Sequence, residues 1–306
     1  MVKQRTSPES AGLWTLTFGE LGATLKALQD HGVTPQHLVR VRSDSKYAKR
    51  VAAFIRNQGA YDFSDHPTLD RNYFGFHEWR IVYGKCIPDE EPTPFPWDED
   101  LLNSPCPFYK GKLIRETHFA FLGMESVKET RTLFADLAHL ARRTYPLTIT
   151  KLLALYPAEG QPRFSDYRKD LYYLQAPLTT KETCASQWYL MLRDVIPGSL
   201  NKGYDEQVAL LPQEYEVPSA IEETLMHILF YHRHGAYPGT ASWIRTRDIM
   251  TYKRGGAVSI EEECRLAIGS VRSSLRSGEI SMLLVDKNCP YPNCGIAASR
   301  KPPQLT

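Results

Sequence analysis

Three imidazoles stand within eight residues of this sequence, in His227-Ile-Leu-Phe-Tyr-His232-Arg-His234. Imidazole is the commonest metal ligand, and three of them converging about 2 Å from one ion would build a catalytic zinc site. The stretch reads as a helix, on which His227 and His232 are rotated by roughly 140° and His232 and His234 by roughly 200°. His227 and His234 share a face but stand about 10.5 Å apart along the axis. One ion cannot be reached by all three, so interior and surface histidines are expected and no metal is assigned.

The thiols invite a similar reading. Cys289-Pro-Tyr-Pro-Asn-Cys294 brings two together, but no second Cys/His pair lies near in sequence, and Cys264 would have to arrive through folding. The two prolines favour a tight turn, with a disulfide as the alternative. Cys106, in Ser104-Pro-Cys-Pro-Phe108, would need a base and electropositive surroundings to act as a nucleophile. His118 lies on a strand of unknown facing, and Cys106 is expected to pack as a small apolar residue.

Phosphate-cradling motifs are absent: the chain holds no G-x-x-x-x-G-K-[ST], no G-x-G-x-x-G and no G-x-S-x-G. Gly255-Gly256 follows Lys253-Arg254 and reads equally as an anion-binding turn or a diglycine turn between strands. Nucleotide hydrolysis and serine hydrolysis are therefore disfavoured, and no cofactor is implied.

Basic and aromatic residues concentrate near the carboxyl end. Residues 233–276 carry eight Lys/Arg against four Asp/Glu, with Tyr237, Trp243 and Tyr252 interleaved. Arginine beside aromatics suits phosphate contact and base stacking, and equally a protein-binding surface. Trp243, Arg245, Arg247, Arg272 and Arg276 are the expected ligand-binding residues. The favoured partner is a protein or other macromolecule, with nucleic acid as the alternative. At the amino end, Arg40, Arg42, Lys46, Lys49 and Arg50 would suit a helix-turn-helix reader, but the stretch from Lys46 to Ile55 offers few side chains for base edges. A docking bundle is preferred there.

The elements that position these groups follow from periodicity and punctuation. Leu13, Leu16, Leu21, Leu25 and Leu28 recur at near-helical spacing until His31-Gly32 stops them. Thr34-Pro35 starts a second helix, and Asp44 a third that holds Tyr47, Val51, Phe54 and Ile55. Glu78 to Cys86 reads as a strand from its aromatic and β-branched content, and Pro88 to Trp97 as an extended proline-rich segment. Further strands are expected over Ile114–Leu122, Trp188–Leu192, Glu279–Val285 and Gly295–Ser299. Ser126-Val-Lys-Glu129 and Ser219-Ala-Ile-Glu222 match capping boxes. The first would open a helix through Leu133, Phe134, Leu137, Leu140 and Ala141. The second would open one closed by Gly235, and Thr148 to Tyr156 reads as a short helix.

With no regular βαβ rhythm, the expected class is α+β: a small N-terminal helical bundle followed by a mixed α+β domain. Charge marks the divisions: residues 1–60 form a basic helical module and 61–100 an acidic, proline-rich transition. Residues 101–306 are the α+β domain with its C-terminal binding surface. The 306 residues, 42% hydrophobic with a net charge of +2, suffice for a buried core and exclude wholesale disorder. Six cysteines are too few for a disulfide scaffold. No apolar leader and no run near the roughly 18 residues of a spanning helix is visible. A cytoplasmic protein with no membrane contact is expected.

Three segments together resemble a group of uncharacterised bacterial paralogous proteins. They are Leu102-Asn-Ser-Pro-Cys-Pro-Phe108 with Glu116-Thr-His-Phe119, Trp188-Tyr-Leu-Met-Leu192 with Ile196-Pro-Gly-Ser199, and the tail Gly295-Ile-Ala-Ala-Ser-Arg-Lys301. The order of Tyr215-Glu-Val-Pro-Ser-Ala-Ile-Glu-Glu223, Gly255-Gly256, Arg272 and Cys294-Gly-Ile is similar to that of formylglycine-generating-enzyme-like domains. That similarity implies a C-type-lectin-like scaffold presenting a ligand surface. It carries over no catalytic residue, because Cys289 and Cys294 do not follow the oxidase arrangement. A non-enzymatic binding protein is the expected function, with a nucleic-acid binder and a metal-dependent His/Cys enzyme as alternatives.

Overall fold

The computed structural model describes residues 17–30, 33–43, 72–83, 95–128, 144–156, 162–164, 172–239, 242–254, 260–273, 276–286 and 288–302, with single helical positions at 45, 48 and 51. The chain is of the α+β class and divides into two units, Met1–Arg56 and Asn57–Thr306.

In the first unit, α1 runs Phe18–Asp30 and α2 Pro35–Ser43. Thr17 caps α1 reciprocally: its hydroxyl accepts the Glu20 N–H at 3.2 Å while the Glu20 carboxylate accepts the Thr17 N–H at 2.8 Å. Among the described residues neither helix buries a side chain, and Leu21, Leu25 and Leu28 are exposed. The bundle expected here is therefore not built by these two helices. Leu13, Leu16, Tyr47, Phe54 and Ile55 lie outside the described residues.

The second unit holds two sheets around one helix. Strands β1 (Tyr73–Phe74), β2 (His118–Leu122), β5 (Trp188–Leu192), β11 (Ser299–Arg300) and β6 (Tyr215–Glu216) lie side by side in that order. Strands β10 (Cys294–Gly295), β7 (Trp243–Arg254), β8 (Ile260–Ser273) and β9 (Arg276–Asp286) form the second sheet. β3 (Ser126–Lys128) and β4 (Thr144–Pro146) make a separate pair. β7, β8 and β9 are a meander of antiparallel neighbours, and Gly255-Gly256 falls in the connection between β7 and β8, outside the described residues. The carboxyl-terminal segment joins the sheets: β10 lies parallel to β7, and five residues later β11 slots between β5 and β6.

Helix α5 (Ala220–His234) packs on β1 and β2 of one sheet and β7 and β8 of the other. Helix α3 spans Phe76–Tyr83 and α4 Ile149–Leu155. As the sequence implies, Ser219 and Glu222 close a capping box and Gly235 ends the helix in the left-handed region at φ 68°. Every residue from Ala220 to Phe230 is buried, since both faces are covered. α4 falls within the short helix expected over Thr148 to Tyr156, and the structure shows its cap, the Thr148 hydroxyl accepting the Lys151 N–H.

Three expected elements are corrected. Glu78–Cys86 is not a strand: Phe76–Tyr83 is helical, and residues 84–86 lie outside the described ones. Trp79 and Tyr83, four apart, bury one helical face, while the Glu78 carboxylate accepts the Gly75 N–H at 2.7 Å and secures the start. The indole of Trp79 donates to the Leu122 carbonyl at 2.8 Å, tying the helix to β2. Ser126 opens no helix at this position, because Ser126–Lys128 pairs with β4 and buries Val127. Leu133 to Ala141 lie outside the described residues. Ile114–Leu122 begins as a helical turn, Ile114–Thr117, held by the Glu116 carboxylate on the Leu113 N–H, and turns to strand only at His118.

Candidate functional site

β5 reads Trp-Tyr-Leu-Met-Leu and is buried along its whole length between β2 and β11. The chain can present polar groups only where that strand ends, and the next two residues are Arg193 and Asp194. The Arg193 N–H donates to the Thr117 carbonyl at 3.1 Å. Its guanidinium donates to Asn72 Oδ1 at 3.1 Å and to the Glu116 carbonyl, both neutral acceptors. Asn72 is itself fixed, donating from Nδ2 to the Arg115 carbonyl at 2.7 Å and accepting the Ala120 N–H.

No carboxylate among the described residues lies within 4.0 Å of the Arg193 guanidinium. Burial pulls the Arg193 pKa below its ordinary value, against the opposing charge of Asp194. Its guanidinium carbon stands 6.0 Å from the Phe230 ring centroid, at the outer limit of a cation–π contact. Asp194 accepts its neighbour Val195's N–H through Oδ1 at 2.8 Å, and among the described residues Oδ2 receives no hydrogen bond. The Tyr109 hydroxyl donates to the Val195 carbonyl at 2.9 Å, and burial followed by the Asp194 charge pushes its pKa up to about 12. Over the Tyr109 ring, 5.6 Å from its centroid, lies the exposed ammonium of Lys112.

The opposite wall comes from the end of α5. Gly235 turns the chain back, bringing Tyr237, Pro238 and Gly239 beside Phe230. The Tyr237 hydroxyl is engaged elsewhere, accepting the Arg163 N–H at 2.9 Å and donating to the Arg163 carbonyl at 3.2 Å. Gly239 has φ +73°, and a Cβ there would stand 3.2 Å from Asp194 Oδ1, so only glycine both adopts the turn and leaves the carboxylate room. These groups, with Thr117, line a cavity of about 300 Å³. Two cations and one carboxylate therefore meet aromatic surface in a concave space at the lower end of small-ligand pockets.

Of the expected binding residues, Trp243, Arg245 and Arg247 do not share one exposed face. Trp243 is half-buried against Gly269, its partner across β8. Arg245 is fully buried, which removes it from any contact surface. Its guanidinium donates to Gln207 Oε1 at 3.2 Å and to the Cys289 carbonyl at 2.9 Å. Gln207 in turn donates to the Ser199 and Cys294 carbonyls, so the cation braces the carboxyl-terminal segment. Arg247 remains partly exposed but is paired with Glu216 at 3.1 Å and Glu222 at 2.8 Å. Arg272 and Arg276 lie on β8 and β9, and their side chains are outside the described ones.

The imidazoles separate as the helical rotation requires. His227 Nδ1 faces the Glu223 carbonyl at 3.0 Å and its carboxylate at 3.3 Å. His232 Nε2 meets the Tyr156 hydroxyl at 2.9 Å, and His234 stacks on Phe230 with centroids 4.0 Å apart. Burial drives the His232 pKa down to about 3. Among the described residues no three His, Cys, Asp or Glu side chains gather to hold a metal. Cys106, Cys184, Cys264 and Cys294 are buried and Cys289 is exposed. Burial raises the Cys294 thiol while Arg245 opposes the rise. Cys106 and His118 form no hydrogen bond; His118 Nδ1 instead meets the Thr117 hydroxyl and the Ile114 carbonyl, and burial takes its pKa to about 3.

Sequence reasoning missed Tyr109, Lys112, Arg193, Asp194 and Phe230. A signal was present in Arg193-Asp194, a charged pair directly after an all-apolar strand, where the chain leaves the core. Comparison of the chain with models of protein families, with curated proteins and with solved structures finds no match.

Proposed function

We propose that this chain is a binding protein whose ligand is a small charged molecule seated in the cleft of Lys112, Arg193 and Asp194. One observation carries the reading: a largely buried guanidinium, supported only by neutral acceptors, stands at a cavity of about 300 Å³ walled by aromatic rings. A cation taken out of water and left without a carboxylate partner is costly, and a ligand anion offsets that cost. The remaining hydroxyls favour binding over turnover. Tyr109 and Thr117 already donate to carbonyls, and among the described residues no imidazole or thiol lines the cavity to act as base or nucleophile. Compared with a macromolecular partner on the arginine-rich stretch, the cleft has the stronger support, because Arg245 and Arg247 are committed to internal partners.

Thermal melts of the full chain and its Arg193→Gln variant provide the test, with millimolar acetate, phosphate and amino acids, and separately with single-stranded and duplex oligonucleotides. At least one small anion is expected to stabilise the parent, by about 2.7 kcal/mol at a hundredfold excess over Kd, and to lose that effect in the variant. Stabilisation by oligonucleotides alone, weakening steeply with added salt, would overturn the proposal in favour of phosphate-backbone binding.

A further inference from the structure

We infer that the ligand of this cleft is a zwitterion, a carboxylate and an ammonium borne by the same carbon together with an apolar side chain, as in a free α-amino acid; this rests on reading the cleft as the binding site. Charge balance leads to it. Lys112 and Arg193 contribute two positive charges and Asp194 one negative charge to the same lining. Arg193 is held by Asn72 and the Glu116 carbonyl and has no carboxylate within 4.0 Å among the described residues, so its remaining N–H groups can donate to a ligand carboxylate.

Asp194 supplies the discrimination. Oδ1 is occupied by the Val195 N–H, Oδ2 has no hydrogen-bond partner among the described residues, and Gly239 packs against the carboxylate on its Oδ1 side. A dianionic phosphate at Arg193 would place like charge against Asp194, whereas an ammonium next to the carboxylate satisfies it. Phe230, Tyr237 and Pro238 offer apolar surface for a side chain. About 300 Å³ accommodates one such molecule.

Isothermal titration of the full chain with four probes tests this: L-phenylalanine, 3-phenylpropionate, phenethylamine and phenyl phosphate. L-Phenylalanine is expected to bind at least tenfold more tightly than each of the others. Asp194→Asn should abolish its advantage over 3-phenylpropionate, and Lys112→Gln, at an exposed position, should weaken both carboxylates alike. Equal or tighter binding of 3-phenylpropionate or phenyl phosphate, lost in Arg193→Gln, would overturn the zwitterion and leave the cleft as the site. Silence from all four probes would overturn both. The comparison among probes on the unaltered chain stands even where a variant fails to fold.

Discussion

Arg245 was expected on a contact surface, and its burial changes what truncation does. Arg245→Ala removes two charged donors and leaves the Gln207 Oε1 and the Cys289 carbonyl without them. Hydrogen bonds to charged groups contribute about 1.5–3 kcal/mol each, so the pair amounts to about 3–6 kcal/mol. Removing a buried cation that has no carboxylate partner relieves desolvation and returns part of that sum, while the void left by truncation takes some of it back. The expected net loss is about 2–4 kcal/mol. A unit of this size loses about 2–4 °C of melting temperature per kcal/mol, giving a fall of about 4–16 °C. Thermal and urea unfolding followed by tryptophan fluorescence would measure it, with Lys112→Ala as an exposed control expected to melt like the parent. If Arg245→Ala also melts like the parent, the side chain is on the surface and the brace from β7 to the carboxyl-terminal segment does not exist.

Two further outcomes follow from burial. His118 and His232 both have folded pKa values of about 3, below the ordinary 6.5, so the unfolded chain binds the extra protons. Their contribution is complete above pH 6.5 and is lost as pH falls from there towards 3. The slope reaches up to about 3 kcal/mol per pH unit for the pair. Urea midpoints between pH 7 and 4 should fall accordingly, and His232→Gln should flatten the slope by about half; an unchanged slope would refute neutral burial of that ring. In a Cys86→Ser background, a thiol reagent should modify Cys289 rapidly in the native chain and Cys106, Cys184, Cys264 and Cys294 only on unfolding. Fast native modification of Cys294 would contradict the packing of β10.

Local signals determined a good part of this molecule from sequence alone. Ser219 with Glu222, Gly235, Thr148 and the β5 run each act within a few residues, through caps or uniform burial, so α5, α4 and β5 were legible. The failure of the three imidazoles to converge was also legible, because helical rotation alone decides it. Other choices belonged to tertiary structure. Glu78–Tyr83 has strand-forming residues, yet burying Trp79 and Tyr83 on one face and bonding the indole to Leu122 made it helical. Arg245 looked solvated until Gln207 and Cys289, distant in the chain, supplied acceptors in the interior. The cleft depended most on folding. Asn72, Glu116 and the turn after α5 come from three separate segments, and only the pairing of β2 with β5 beside the end of α5 puts their groups around Arg193. Charge and spacing within one segment carry no information about which carbonyl or ring another segment will bring to it, because that partner is fixed by burial of the whole core.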